Sequence, residues 1–213
     1  MVPSTDFSNV GARATRPRVA PEIVVVGAAP TAAQAAAMFL VGLPDHFELP
    51  LVLIVGAEAD DHRDDHRDLC VALQAHCALP VRQIDDKDPI LAGRIHLAPA
   101  DYHVLVERRA FILSTDGPVN GARPSIDVLL ESVAEVFGEG AVCVLLGLSA
   151  RDGVDGCAGA ARVRASGGLV IVQDPRTATS DGATDVASFP AATVLHLSEI
   201  APFVTRLGEA ELT

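Results

Sequence analysis

Residues 22–44 read EIVVVGAAPTAAQAAAMFLVGLP, and this stretch decides the fold. Glu22–Gly27 is an unbroken β-branched run, the pattern of a strand buried on both faces. A glycine ends it. After Pro30 the alanine-rich segment TAAQAAAMFLVGL has helical composition and stops near Gly42 and Pro44. A buried strand followed at once by a helix opens a parallel α/β sheet. Outward from here the pairing recurs. Leu51–Gly56 (LVLIVG) is a second buried strand, and the polar helix start after it turns apolar from Leu69 to Leu79. AVCVLLG (141–147) is another strand, with a helix expected from Asp152 through Ala165. GGLVIVQD (167–174) and VLHL (194–197) are the last strands, and SEIAPFVTRL is a closing helix with Ser198 as its N-cap.

Between these runs, residues 81–113 change character. VRQI, RIHLAP, YHVLV and AFILS are short pieces separated by turn residues, as hairpin strands are. Pro124 then opens the helix PSIDVLLESVAEVFG, with Ile126, Leu129, Leu130, Val133 and Val136 on one face. The expected fold is α/β: a doubly wound, mostly parallel sheet with helices on both faces, right-handed crossovers and an antiparallel edge hairpin. Residues 1–20 lack periodicity and read as a flexible tail, basic at Arg13, Arg16 and Arg18. Residues 21–207 form one domain, and 208–213 a short C-terminal tail.

Of the 213 residues 49% are apolar, enough for a sizeable core. Sixteen basic against 28 acidic residues leave a net charge of −12. That balance excludes nucleic acid and anionic membrane surfaces as natural partners, since both would repel it. The longest apolar runs, Leu49–Ala57 and Ala141–Leu148, fall far short of a bilayer span. No apolar segment of signal-peptide type follows the N-terminal arginines. Cys70, Cys77, Cys143 and Cys157 lie in apolar segments without a C-x-x-C pair, which points to reduced core thiols in a cytoplasmic protein. Cys70 and Cys77, seven apart, are expected on one face of a helix.

In an open α/β sheet ligands bind at the carboxyl ends of the strands. Those ends are Gly27-Ala28-Ala29-Pro30, Val55-Gly56-Ala57-Glu58, Gly147–Gly153 and Gln173-Asp174. Alanine and glycine dominate them, and Ser149 and Asp152 are the only evident chemical groups at the third. Asp152 also suits a helix N-cap, with Asp155 three residues on. In DDHRDDHRD (60–68), His62 and His66 stand one helical turn apart and could share a metal with Asp65 or a distant ligand. Two ligands do not close a site, so a solvated helix start is the reading kept and no metal or other cofactor is expected. The remaining histidines, His76, His96, His103 and His196, are scattered and carry no motif.

Four blocks resemble one family, the catalytic domain of chemotaxis protein-glutamate methylesterases (CheB-type). STDGPVNGARPSIDVLLESVAEVFG (114–138) is similar to the family's S-x-G-P-P-V-N-G-H-R-P-S-V-D-x-L-F-x-S-A-A. RIHLAPADYHVLV (94–106) resembles V-Y-x-A-P-G-x-x-H-L-x-V, CVLLGLSARDGVDG (143–156) resembles V-L-T-G-M-G-x-D-G-x-x-G, and ASGGLVIVQD (165–174) resembles A-x-G-G-x-x-I-A-Q-D. The blocks occur in the family's order, and the family fold agrees with the one read above.

The resemblance implies hydrolysis of glutamate methyl esters on chemoreceptors by a Ser-His-Asp triad. The family's serine lies in G-A-S-T-G-G, which here is Gly27-Ala28-Ala29-Pro30-Thr31-Ala32, so the nucleophile position is Ala29. The histidine of V-Q-H-M-P falls on Ala57, and the aspartate of G-M-G-x-D-G is kept as Asp152. The family's late Y-G-M-P is here Asp181-Gly182-Ala183-Thr184. A serine hydroxyl needs an imidazole to take its proton, and the aspartate only orients that imidazole. Asp152 alone therefore cannot activate attack, and the expectation is a catalytically degenerate domain that binds. Asn120 and Arg123 could contact a ligand carboxylate or lock the loop before Pro124. Ser149 is a candidate binding residue without a base beside it. The implied partners are cytoplasmic helices of chemoreceptors or other array proteins, in a flagellar or type IV pilus system. A partner methylesterase that this chain inhibits or positions is a further expectation. The receiver domain that usually precedes the family's catalytic domain is not expected in this chain. The rival expectation is an active methylesterase with rebuilt chemistry.

Overall fold

A computed structural model describes residues 19–56, 65–148, 155–177, 186–189 and 192–209, with backbone alone for 65–68. Seven strands form one sheet, all parallel: β1 (Ile23–Ala28), β2 (Leu51–Val55), β3 (Val81–Gln83), β4 (Ile95–Leu97), β7 (Ala141–Leu146), β8 (Leu169–Gln173) and β9 (Thr193–Leu195). Their order is β3-β4-β2-β1-β7-β8-β9. The chain starts at the centre, winds out to one edge, then crosses to the other side of β1. A reversal of this kind leaves a crevice at the carboxyl ends of the central strands. Every residue of β1, β2, β7 and β8 is buried, as their unbroken apolar runs require.

Helices cover both faces. α1 (Ala33–Val41) packs with α5 (Leu197–Glu209), and α3 (Ile126–Phe137) packs with α4 (Cys157–Ala165). α2 (Asp65–Gln74) leads into β3. Outward winding in opposite directions puts right-handed crossovers on opposite faces, which produces this grouping. α3 buries Ile126, Leu129, Leu130, Val133 and Ala134, the face its periodicity marks.

The segment 81–113 divides differently from the sequence reading. VRQ and IHL are parallel members of the main sheet, so they are not hairpin strands. Only β5 (His103–Glu107) and β6 (Ala110–Ser114) form an antiparallel hairpin, a separate two-stranded sheet packed on α3. It turns on Arg108 and Arg109, both at positive φ. Arg109 pairs with Glu22 at the start of the sheet and stacks 5.1 Å over the Phe137 ring, which fastens the hairpin tip.

Three boundaries also move. α4 begins at Cys157, five residues after the expected Asp152, because Gly156 has φ +96° and cannot be helical. α5 begins at Leu197, so Ser198 lies inside its first turn and His196 precedes it. α2 ends at Gln74, so Cys77 is not on a helix with Cys70. The four cysteines are free thiols; Cys77 and Cys143 are buried, while Cys70 and Cys157 are half-buried. Burial pushes the Cys77 thiol up and the Cys143 thiol further still, so neither offers thiolate at neutral pH.

His96, on β4, is buried with its Nε2 against the backbone of Leu91 and its ring 4.9 Å from that of Phe111. Burial lowers its pKa from the ordinary 6.5. The unfolded chain therefore binds a proton at His96 more readily than the folded one. Stability from this site is fully present above pH 6.5 and is lost as pH falls through the lowered folded value. Urea midpoints should decline between pH 6.5 and 5 in the wild type. His96→Asn should flatten that part of the profile, and an unchanged slope would count against the assignment.

Candidate functional site

The crevice lies where β1 and β7 end. β1 closes at Ala28, and Ala29 follows in extended conformation (φ −63°, ψ 156°) as the N-cap of a 3-10 turn, Pro30–Ala32, that runs into α1. The Ala29 N–H donates to the Leu146 carbonyl at the end of β7, 3.1 Å away. Ala29 is thus fixed at the carboxyl end of the sheet, where the resemblance puts a nucleophile, and it carries only a methyl group. Gly27 lets α3 come close behind it: a Cβ there would lie 2.9 Å from Ile126 Cγ2.

The start of α3 flanks this crevice and is held by buried polar groups. Ser125, fully buried, accepts from the Val128 N–H as the helix N-cap. Asp155, from the turn before α4, reaches across to the same helix end. It accepts from Ser125 Oγ at 2.6 Å and from the amides of Ile126 and Asp127 at 2.8 and 3.0 Å. Asp127 returns the contact. Its carboxyl accepts from the Gly159 amide at 2.6 Å, in the first turn of α4, and from Asn120 Nδ2 at 2.8 Å. Each helix start is capped by an acid from the other's neighbourhood. Burial pushes the Asp127 carboxyl up from its usual range, and the Gly159 amide works against that rise.

The loop before α3 is built on the same anchors. Val119 and Ala122 exchange backbone hydrogen bonds around Asn120 and Gly121, both at positive φ, which makes a tight two-residue turn. The Asn120 side chain is held on Asp127. Arg123 Nη1 faces the carbonyls of Thr115 and Asp116 at 3.5 and 3.3 Å, and the Arg123–Pro124 bond is cis. Asn120 and Arg123 thus both make contacts within the loop and to the start of α3. His103 completes the lock: its Nδ1 accepts from the Ser125 amide at 3.2 Å, and its Nε2 donates to the Gly117 carbonyl at 3.0 Å.

Sequence reasoning passed over Ser125 and Asp127, read His103 as an ordinary histidine, and weighed Asp155 only as part of the start of α4. A usable signal was present: each is a polar residue among apolar ones inside a well-matching block. Ala57, His62, Ser149 and Asp152 lie outside the described residues, and of Asp65 and His66 only the backbone is described. Among the described residues no three His, Cys, Asp or Glu converge as metal ligands. Ser198 Oγ lies 2.8 Å from His196 Nδ1 at the end of β9. That pair is exposed, two residues apart, and stands beside the Ser198 amide, which also points at Nδ1.

The profile of the CheB methylesterase family matches residues 24–204. The chain belongs to the CheB methylesterase family. A Leptospira interrogans protein named for protein-glutamate methylesterase and protein-glutamine glutaminase activity is 31% identical over 202 residues, covering 90% of this chain and 97% of that one. A protein-glutamate methylesterase/protein-glutamine glutaminase of Paramagnetospirillum magneticum is 36% identical over 135 residues, 60% of this chain and 34% of its own length. The CheB methylesterase catalytic domain of Thermotoga maritima superposes with a TM-score of 0.76 at 25% identity, over 89% of this chain and all of that one. The CheB fold accounts for the central crevice, the helices on both faces and the hairpin on α3. In the described residues no helix is long and apolar enough to cross a membrane.

Proposed function

We propose that this CheB-family domain, residues 21–207, no longer hydrolyses esters and acts by binding receptor helices or other proteins of a chemotaxis or type IV pilus array in the cytoplasm. One observation carries the reading. The residue that follows β1 at the crevice is Ala29, which has no oxygen or sulfur with which to attack an ester. The base position, Ala57, has no imidazole, and Asp152 is the retained member of the triad. Loss of nucleophile or base from such a unit costs on the order of 10⁶ in kcat, and loss of the second adds little. The acid-capped α3 start and its locked loop remain as a rigid rim on which a helix can dock.

The test is hydrolysis of methylated receptor fragments by the purified protein, beside an active CheB relative. The expected result is no turnover above background, together with retained binding of the same fragments. Turnover would overturn the reading. The Ser198–His196 contact is the observation that favours an esterase with relocated chemistry, so turnover abolished by Ser198→Ala would move the site to the end of β9.

A further inference from the structure

We infer that Pro30 is a third block on ester chemistry in this crevice, separate from the missing nucleophile and base, because it removes the backbone donor on which an oxyanion would rest. This inference builds on the proposal that Ala29 holds the nucleophile's place. Where a nucleophile sits between a strand and the following helix, the backbone N–H of the next residue is one of the donors that receive the developing oxyanion. The strand, turn and helix here have that layout, with Ala29 as the N-cap of the turn. The next residue is proline, which has no N–H. The Ala32 amide, two residues on, is taken up within the turn, since it donates back to the Ala29 carbonyl at 2.9 Å. A helix start is ordinarily a place where amides welcome negative charge. Here proline occupies its first position, where its fixed φ suits the turn and the missing donor goes unnoticed by the fold.

The triad and the oxyanion donor act at different moments. The triad generates the attack, whereas the donor holds the charge on the former carbonyl oxygen once the new C–O bond has formed. Enzymes stripped of their triad keep part of their catalysis for this reason. Rebuilding the triad around Pro30 therefore leaves a gap of about 10²–10³ in kcat, the effect of one donor.

The experiment starts from a background variant, Ala29→Ser/Thr31→Gly/Ala32→Gly/Ala57→His, which restores the family's serine, glycines and histidine. To it are added, separately, Pro30→Thr and Pro30→Ala. Hydrolysis of p-nitrophenyl acetate and of methylated receptor fragments is measured for all three, with thermal melts to confirm folding. Both Pro30 replacements should raise kcat by about 10²–10³ and leave KM unchanged, since the donor meets only the transition state. A gain with threonine but not alanine would assign the effect to the hydroxyl and overturn the inference. So would equal rates with and without Pro30, whether high or undetectable. Turnover of receptor fragments by the wild-type chain strikes instead at the reading of Ala29, so the two failures are distinguishable.

Discussion

Replacing Asp155 with alanine is expected to lower the unfolding free energy by about 3–5 kcal/mol, a large part of the stability of a domain this size. The side chain is buried and accepts three hydrogen bonds, from Ser125 Oγ and from the amides of Ile126 and Asp127. Truncation leaves two backbone donors at the start of α3 without partners, each costing roughly 1–3 kcal/mol, and it frees the serine hydroxyl. Asp155→Asn keeps one carbonyl oxygen and should lose about half as much. Urea denaturation followed by circular dichroism measures both. A loss below about 1 kcal/mol for the alanine variant would mean that α3 does not depend on this cap.

Gly159→Val should come next in size. α3 and α4 approach so closely that a Cβ at residue 159 would lie 2.5 Å from Leu130 Cβ and 3.1 Å from the Asp127 Cα and carbonyl oxygen. None of these atoms is the free end of a flexible side chain, so the helices must move apart. Overpacking of this kind costs about 1–3 kcal/mol. Separation also stretches the Gly159 N–H bond to Asp127, which adds the cost of a buried carboxyl that has lost a donor, roughly 1–3 kcal/mol. Gly159→Ala meets the same first contact but regains about 1 kcal/mol of helix propensity, so it should lose less than valine. Equal stability of the valine variant and the wild type, by the same denaturation measurement, would sink the close-packing argument.

The central strands could be read from the sequence because burial on both faces leaves no alternation to misread. α3 could be read because one face is buried and its spacing is helical. The segment 81–113 could not. β3 and β4 are three residues each, they pair in parallel rather than as a hairpin, and β4 joins the sheet through a distant strand, Ile95 beside Leu51. Short polar-flanked runs of that length carry no mark of parallel pairing. The start of α4 was misplaced because DGVDG offers aspartates that suit a cap, whereas Asp155 caps a different helix. Its partners sit 28 to 30 residues earlier, and the Ser125 amide held by His103 is 22 residues away. Side-chain pairings at that separation exist only after the sheet has assembled. Of the candidate site, Ala29 was legible because it directly follows a strand that could be recognised. The network that holds the rim was not.

The sheet order has a consequence for how the protein behaves in a crowded cell. An open parallel sheet ends in two strands whose outer backbone groups can recruit another chain, and long flat ends are templates for aggregation. Here the two outermost strands, β3 and β9, are three residues each. β3 also carries the exposed Arg82, and the side chain of Gln74 takes the amide of Val81. The longest and most apolar strands, those with the highest tendency to self-associate, are confined to the middle of the sheet. Such an arrangement lets a strongly apolar β-core persist without adding fibrils strand by strand.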